Sequence, residues 1–376
     1  MHYDHIVVGA GTMGMAAGYF LAREGKNVLL LDAFQPPHAE GSHHGETRLI
    51  RFAYGEGEQY VPFVLRAFEL FKELESLSGK EIFRRVGVLN IGHKHESFLK
   101  NIMKSSEQYD LPIEHLSHKE VNARWEGLRL TEGMEACFEP NSGVLFSERV
   151  IAAYKELAVK EGAELVGNDR VVAIEPSNDQ AKVVTESGAS YTAESVVITV
   201  GAWGKKLFET MHVQVPVTPI RKCFAWYEAD ESVYGDAVFP GFTYSRGEVQ
   251  YYGFPSIDGA GLKIGRHDLG DEVDPDEPLA PFGEVAGDRE HLDDFLARIM
   301  PKTGPLKFGK TCMYNMTPDH HFIIDRLPGY ENIVMATGFS GHGFKFASAV
   351  GEALKDMVLE EKPKVDLRPF SLERFG

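Results

Sequence analysis

The sequence predicts an α/β fold: a strand–helix–strand domain assembled from separated segments, with an antiparallel-sheet domain inserted into it. Three observations predict this. A short apolar run at residues 5–8 leads directly into Gly9-Ala10-Gly11-Thr12-Met13-Gly14, and then into residues at helical spacing (Met13, Ala16, Ala17, Phe20, Leu21). Two later apolar runs, 195–200 and 333–336, are each closed by a glycine, Gly201 and Gly338. Between them, residues 215–265 change to alternation rich in aromatics (Phe224, Trp226, Tyr227, Phe242, Tyr244, Tyr251, Tyr252), which suits an antiparallel sheet.

In chain order, Gly25 falls where a helix C-cap is wanted, and residues 27–31 read as a second buried strand ending at Asp32. Residues 58–77 are helical, with Val61, Val64, Phe68, Phe71 and Leu74 on the core side; 150–161 form another amphipathic helix. A glycine-rich loop follows Gly338 and leads into a helix from about 345 to 359. Residues 268–294 hold eleven acids against one base, Arg289, and read as a solvated loop with a short helix. The pieces divide into a nucleotide-binding domain, 1–80, 140–214 and 316–376, and an inserted substrate domain, 81–139 and 215–315.

Composition excludes several function classes. A chain of 376 residues with 43% apolar and 25% charged residues has the balance of an ordinary globular protein. Its formal charge of −17 repels nucleic-acid phosphates and anionic headgroups, so neither nucleic acid nor membrane is an expected partner. Cys137, Cys223 and Cys312 are sparse and include no CxxC pair, which excludes a disulfide framework and makes a cytoplasmic location the default. No metal-binding histidine spacing occurs, so no metal is expected. The apolar stretch 6–22 carries four glycines, follows Asp4 and lacks a basic leader, which argues against a signal peptide or membrane span.

The turn at Gly9–Gly14 carries chemistry because of its context. It follows a strand, opens a helix, and is followed by an acid, Asp32, at the end of the next strand, which fits the Rossmann requirement. Gly9 allows the sharp turn, Gly11 leaves room for a pyrophosphate, and Gly14 permits close helix–sheet packing. The helix N-terminus offers unpaired N–H groups to the phosphates. Asp32 would accept hydrogen bonds from the adenosine ribose and would repel a 2′-phosphate, which disfavours NADP. The loop alone does not separate FAD from NAD, but the glycine-ended strands at Gly201 and Gly338 favour FAD.

Longer blocks carry a resemblance. They are Ser42-His43-His44-Gly45-Glu46-Thr47-Arg48-Leu49-Ile50-Arg51, Ala53-Tyr54-Gly55-Glu56-Gly57, residues 139–145, Tyr252-Gly253-Phe254-Pro255, Gly261-Leu262-Lys263, Cys312-Met313-Tyr314 and residues 338–345. Along essentially its whole length the chain resembles the monomeric sarcosine oxidase and N-methyltryptophan oxidase family, FAD enzymes with a glutathione-reductase-like nucleotide fold.

The resemblance implies roles. Cys312 would attach covalently to the flavin 8α-methyl group, which needs a thiolate. Lys263 would lie over the flavin and stabilise the anion that forms as dioxygen takes its first electron. Arg51 and Lys345 would hold the substrate carboxylate, the first by two oxygens and the second as a point charge. His44 and Arg48 match residues beside the flavin, and Tyr252, Tyr314, His267 and Thr243 match the substrate pocket. Met13, Ser42, His43, Gly341 and Gly343 complete the residues expected to touch the cofactor. Phe52 stands where the pattern usually has histidine, and Thr243 and Tyr244 stand where sarcosine oxidases tend to carry Met and Val, so pocket volume and polarity differ. The implied reaction is oxidative demethylation of an N-methyl amino acid, sarcosine or N-methyl-L-tryptophan, by dioxygen in a monomer. The alternatives are a glycine- or D-amino-acid-oxidase type of enzyme, a flavin dehydrogenase that passes electrons to a partner, and a flavoprotein that binds without catalysing.

Overall fold

The apolar run at 5–8 is the end of a longer strand, His2–Val8, in the middle of an eight-stranded sheet of the computed structural model, which describes residues 1–177, 179–268 and 270–376. Ile6, Val7 and Val8 are buried because parallel neighbours flank them on both sides: Val7 registers with Val197 and with Leu30. Strands Val28–Leu31 and Tyr330–Thr337 run the same way, the latter pairing with the end of Ser190–Ile198. The strand expected at 195–200 therefore starts earlier and stops sooner. Its first half is polar and pairs antiparallel with Ala181–Thr185, so the apolar run marks only the buried half.

Four helices lie against one another beside this sheet: Thr12–Arg23, Tyr60–Ser78, Ser147–Lys160 and Ala347–Val358. The last crosses the first closely. A Cβ at Gly351 would sit 2.8 Å from the Ala16 carbonyl carbon, so only glycine fits. The helix expected from 345 begins with a separate 3₁₀ turn, Phe344–Phe346, which holds Lys345 outside the α-helix.

The second sheet also has eight strands, in the order Leu306–Met316, Thr218–Tyr227, Leu262–Arg266, Val249–Phe254, Gly241–Arg246, Val88–His93, Met134–Glu139 and Glu114–Ser117. It departs from the antiparallel expectation at one pairing: Gly241–Arg246 runs parallel to Val88–His93. Helix Glu290–Ile299 covers one face, where Phe295 stacks on Tyr251 at 4.2 Å. A small three-stranded sheet joins Thr47–Ile50, Gly143–Phe146 and Phe83–Arg84.

The described part of the acidic run at 268–294 contains a short helix and keeps most of its acids exposed, as a solvated surface segment does, but several of those acids are also paired. Asp288 pairs with Arg221 at 2.7 Å with both side chains buried, and Asp276 pairs with Arg170 at 2.6 Å. Lys206 holds Asp274 and Asp276 together. Arg221 N donates to Asp271 O, and Val273 N donates to Pro219 O. The acids balance cations distant in sequence, which a charge count along the chain does not reveal. The run is a strap across both sheets. Among the described residues, no helix is long and apolar enough to cross a membrane.

Candidate active site

The carboxyl ends of Val8, Leu31, Ile198 and Thr337 lie together, where open α/β sheets bind ligands. A cavity of about 480 Å³ starts there and continues to the second sheet. Of the cofactor residues expected from sequence, Gly9, Gly11, Met13, Asp32, Ser42, His43, Arg48, Cys312, Gly341, Gly343 and Lys345 line it. So do Arg51, Thr243, Tyr252, Lys263, His267 and Tyr314. Gly14 and His44 are not part of the lining.

At the dinucleotide end, three glycines do three different things. Gly9 turns the chain at φ +90°, and a Cβ there would meet Thr199 O at 2.7 Å. Gly14 packs beneath the turn, where a Cβ would lie 1.9 Å from Gly9 O. A Cβ at Gly11 would meet nothing within 4 Å, so packing does not require glycine; the space belongs to the cavity. The helix that begins at Thr12 has no side-chain cap and no acid in its first turn, leaving its first N–H groups to the cavity. Asp32 accepts from Ala10 N (2.7 Å) and Phe34 N (2.9 Å), so its carboxylate braces the turn while facing the cavity. Open space, orphan amides and a braced acid fit a dinucleotide such as FAD.

Midway along the cavity, Arg48 donates to the carbonyls of Ser42 (2.7 Å), His44 (2.8 Å) and Thr47 (2.7 Å), and so shapes the loop that carries Ser42 and His43. His43 is buried and held neutral, its pKa pushed down to about 3 by burial. His44 instead donates from Nδ1 to Gly41 O (2.9 Å) and packs on Phe224. Lys263 Nζ donates to Gly45 O and to Thr47 O (3.1 Å), with the rings of Phe254, Phe224 and Trp226 around it. Burial, reinforced by Arg48, lowers its pKa well below the ordinary lysine value, so the protein alone disfavours the fixed charge expected there. Cys312 shows the mirror case: burial raises its pKa, while Arg48, Lys263 and Lys222 pull it down.

The far end is a cluster of side chains. Arg51 pairs with Glu56 at 2.6 Å and lies over the Tyr54 ring at 5.0 Å. Lys345 Nζ donates to Tyr54 Oη (3.0 Å) and His342 O (2.9 Å), so the two predicted cations meet on one tyrosine. Burial, then Arg51, lowers Lys345 to about 7. His342 Nε2–H donates to His320 O, which leaves Nδ1 to accept from Tyr54 Oη–H (2.9 Å). Burial keeps this imidazole neutral, at about 3. Behind Arg51, Asn90 Oδ1 accepts from Thr243 Oγ1 (2.8 Å), and Asn90 Nδ2 donates to the buried Glu139 (2.8 Å). Tyr252 and Tyr314 touch through their hydroxyls at 3.4 Å, with the His267 ring 5.5 Å from Tyr314. Burial, then Lys222, holds His267 near 4, and Lys222 Nζ donates to His267 O at 2.7 Å.

Sequence reasoning missed Tyr54, Glu56, Asn90, Lys222 and His342 as site residues. Tyr54 and Glu56 sit inside a block singled out for its resemblance; Asn90 and Lys222 carry no local signal. Among the described residues, no cluster of metal-ligating side chains occurs.

Comparison with known proteins agrees with this geometry. The model of the FAD dependent oxidoreductase family matches residues 4–357. The chain is 48% identical over 376 residues to a monomeric sarcosine oxidase of Bacillus sp. (strain B-0618), covering 99% of this chain and 96% of that one. It is 44% identical over 380 residues to the N-methyl-L-tryptophan oxidase of Escherichia coli (strain K12), covering all of both. L-proline dehydrogenase from P. horikoshii shares the fold, with a TM-score of 0.87 at 21% identity over 99% of this chain and 97% of that one. With a glycine turn open to the cavity, matching relatives along the full length and a family model covering almost all of it, the chain belongs to the FAD dependent oxidoreductase family.

Proposed function

We propose that this chain is an FAD-dependent oxidase of N-methyl amino acids, converting the substrate, dioxygen and water into the demethylated amino acid, formaldehyde and hydrogen peroxide. The observation that carries the reading is the meeting of Arg51 and Lys345 on Tyr54, in a cavity whose other end is an open dinucleotide turn. Full-length relatives named for sarcosine and N-methyl-L-tryptophan support the substrate class.

FAD, when bound, would supply a two-electron acceptor that dioxygen can reoxidise. Gly9, Gly11, Met13, Asp32, Ser42 and His43 would hold its dinucleotide part, and Gly341, Gly343 and Cys312 would flank the ring. The chain's own residues do the rest. Arg51 leaves Glu56 for the substrate carboxylate, and Lys345 adds a second positive charge. The wall of Tyr252, Tyr314 and His267 is neutral at pH 7, with Lys222 behind it. Such surroundings disfavour an ammonium and so favour the neutral amine, whose lone pair oxidation requires. Lys263 is the group placed to meet developing negative charge on oxygen. We further infer a covalent link at Cys312, and a monomer working in a reducing cytoplasm, in keeping with three free cysteines and a relative called monomeric.

The test is anaerobic titration of the flavin-loaded protein with sarcosine and N-methyl-L-tryptophan. Bleaching, then peroxide on admitting air, is expected; no bleaching by either overturns the reading. Acid precipitation should leave the yellow colour on the polypeptide, and Cys312→Ala should release it.

A further inference from the structure

Resting on that reading, we propose that the cavity carries a polar side-chain subsite on the second sheet, formed by Ser245 and Gln250, and that the substrates it favours are N-methyl amino acids whose side chain ends in an amide or hydroxyl. In strands Gly241–Arg246 and Val249–Phe254, Thr243 lies opposite Tyr252 and Ser245 opposite Gln250. His267 continues the second pair across the next strand, its N–H donating to Gln250 O at 2.8 Å. Residues opposite one another share a face of a sheet, and so do residues two apart. Thr243 and Tyr252 therefore form one row on the cavity floor, and Ser245, Gln250 and His267 form the next; all five line the cavity.

The two rows differ in how their polar atoms are used. In the first, Thr243 Oγ1 donates to Asn90 and Tyr252 Oη meets Tyr314 Oη, so both are occupied within the protein. In the second, Ser245 is 5% exposed, and neither its hydroxyl nor the Gln250 amide has a hydrogen-bond partner among the described residues. A cavity wall that presents a hydroxyl and a half-buried amide, neither used by the protein, offers both to a ligand that can pair with them. A substrate whose carboxylate is on Arg51 and Lys345 and whose amine faces Tyr252, Tyr314 and His267 has its side chain free to run along this second row. Sarcosine has no side chain to use there.

The test compares kcat/KM for N-methyl-L-glutamine and N-methyl-L-methionine, side chains of nearly equal length with and without an amide, using sarcosine as reference. The flavin-loaded wild-type protein is expected to favour the glutamine derivative by about tenfold. In Ser245→Ala and in Gln250→Leu that ratio falls towards one. A wild-type ratio near one, or a preference that survives both substitutions, overturns the subsite while leaving demethylation standing. If sarcosine and both derivatives all go unoxidised, the subsite and the proposed function fall together.

Discussion

The two ends of the cavity are built in opposite ways. The dinucleotide end is backbone: residues 9–14 and 32 belong to one strand–helix–strand segment, and the site consists of amides, one braced carboxylate and missing Cβ atoms. The far end is side chain: Tyr54 and Lys345 are 291 residues apart, and charge, not space, defines the chemistry. A backbone site is sensitive to volume, whereas a side-chain site is sensitive to charge and hydrogen-bond count. Substitutions at the two ends should therefore fail in different ways.

The largest effect is expected at Gly14. Gly14→Ala forces a Cβ against the Gly9 carbonyl and costs about 3 kcal/mol or more, read as a lowered Tm or an insoluble protein. Gly11→Ala is the contrast. It meets no protein atom, so the flavin-free protein keeps its Tm while flavin content falls. A Gly11→Ala protein that still loads fully with flavin would break the comparison.

At the far end, Arg51→Ala should raise KM for N-methyl amino acids by about 100-fold, since truncating one partner of a buried charge pair costs about 2–5 kcal/mol. The KM of an uncharged N-methyl amine should move little. Equal changes for both would remove Arg51 from carboxylate binding.

The third expectation concerns pH. Lys345, at about 7, is charged below that pH and neutral above it, and a bound carboxylate favours the charged form. Binding of a monocarboxylate without an amine, such as propanoate, should weaken by about tenfold between pH 7 and 9. Lys345→Arg should flatten that profile, because the guanidinium stays charged. Smallest is Tyr54→Phe, which removes the hydroxyl between Lys345 and His342. Of the two hydrogen bonds lost, the one to Lys345 positions the cation, and its loss of about 1 kcal/mol should appear as about a fivefold rise in KM at unchanged flavin content.

How much could be read from the sequence follows the same division. The glycine turn, its helix and Asp32 were legible because contiguous residues form them and each glycine answers a steric demand. Arg51 and Lys345 entered through resemblance; taken singly, each is an isolated charge. Asn90, Lys222 and His342 were not legible as site residues, because their meaning lies in partners across the fold: Asn90 matters through Thr243 and Glu139, and His342 through Tyr54; Glu56, by contrast, lies five residues from its partner Arg51 in a matching block. His44 is the reverse case. It sits in a matching block, yet its ring bonds to Gly41 and is not part of the cavity lining. The ion pairs of the acidic strap were not legible for the same reason, since the cations that neutralise part of it, Arg170, Lys206 and Arg221, all precede it in the chain.

The crossing of Gly351 over Ala16 has a consequence for biosynthesis. The helix that backs the glycine turn is seated only when residues 347–358 arrive, and Lys345 comes with them. Domains generally fold as they leave the ribosome, amino-terminal part first. Here an early-made segment waits for a much later one, so the pocket is not finished until residues 345–358 have been made.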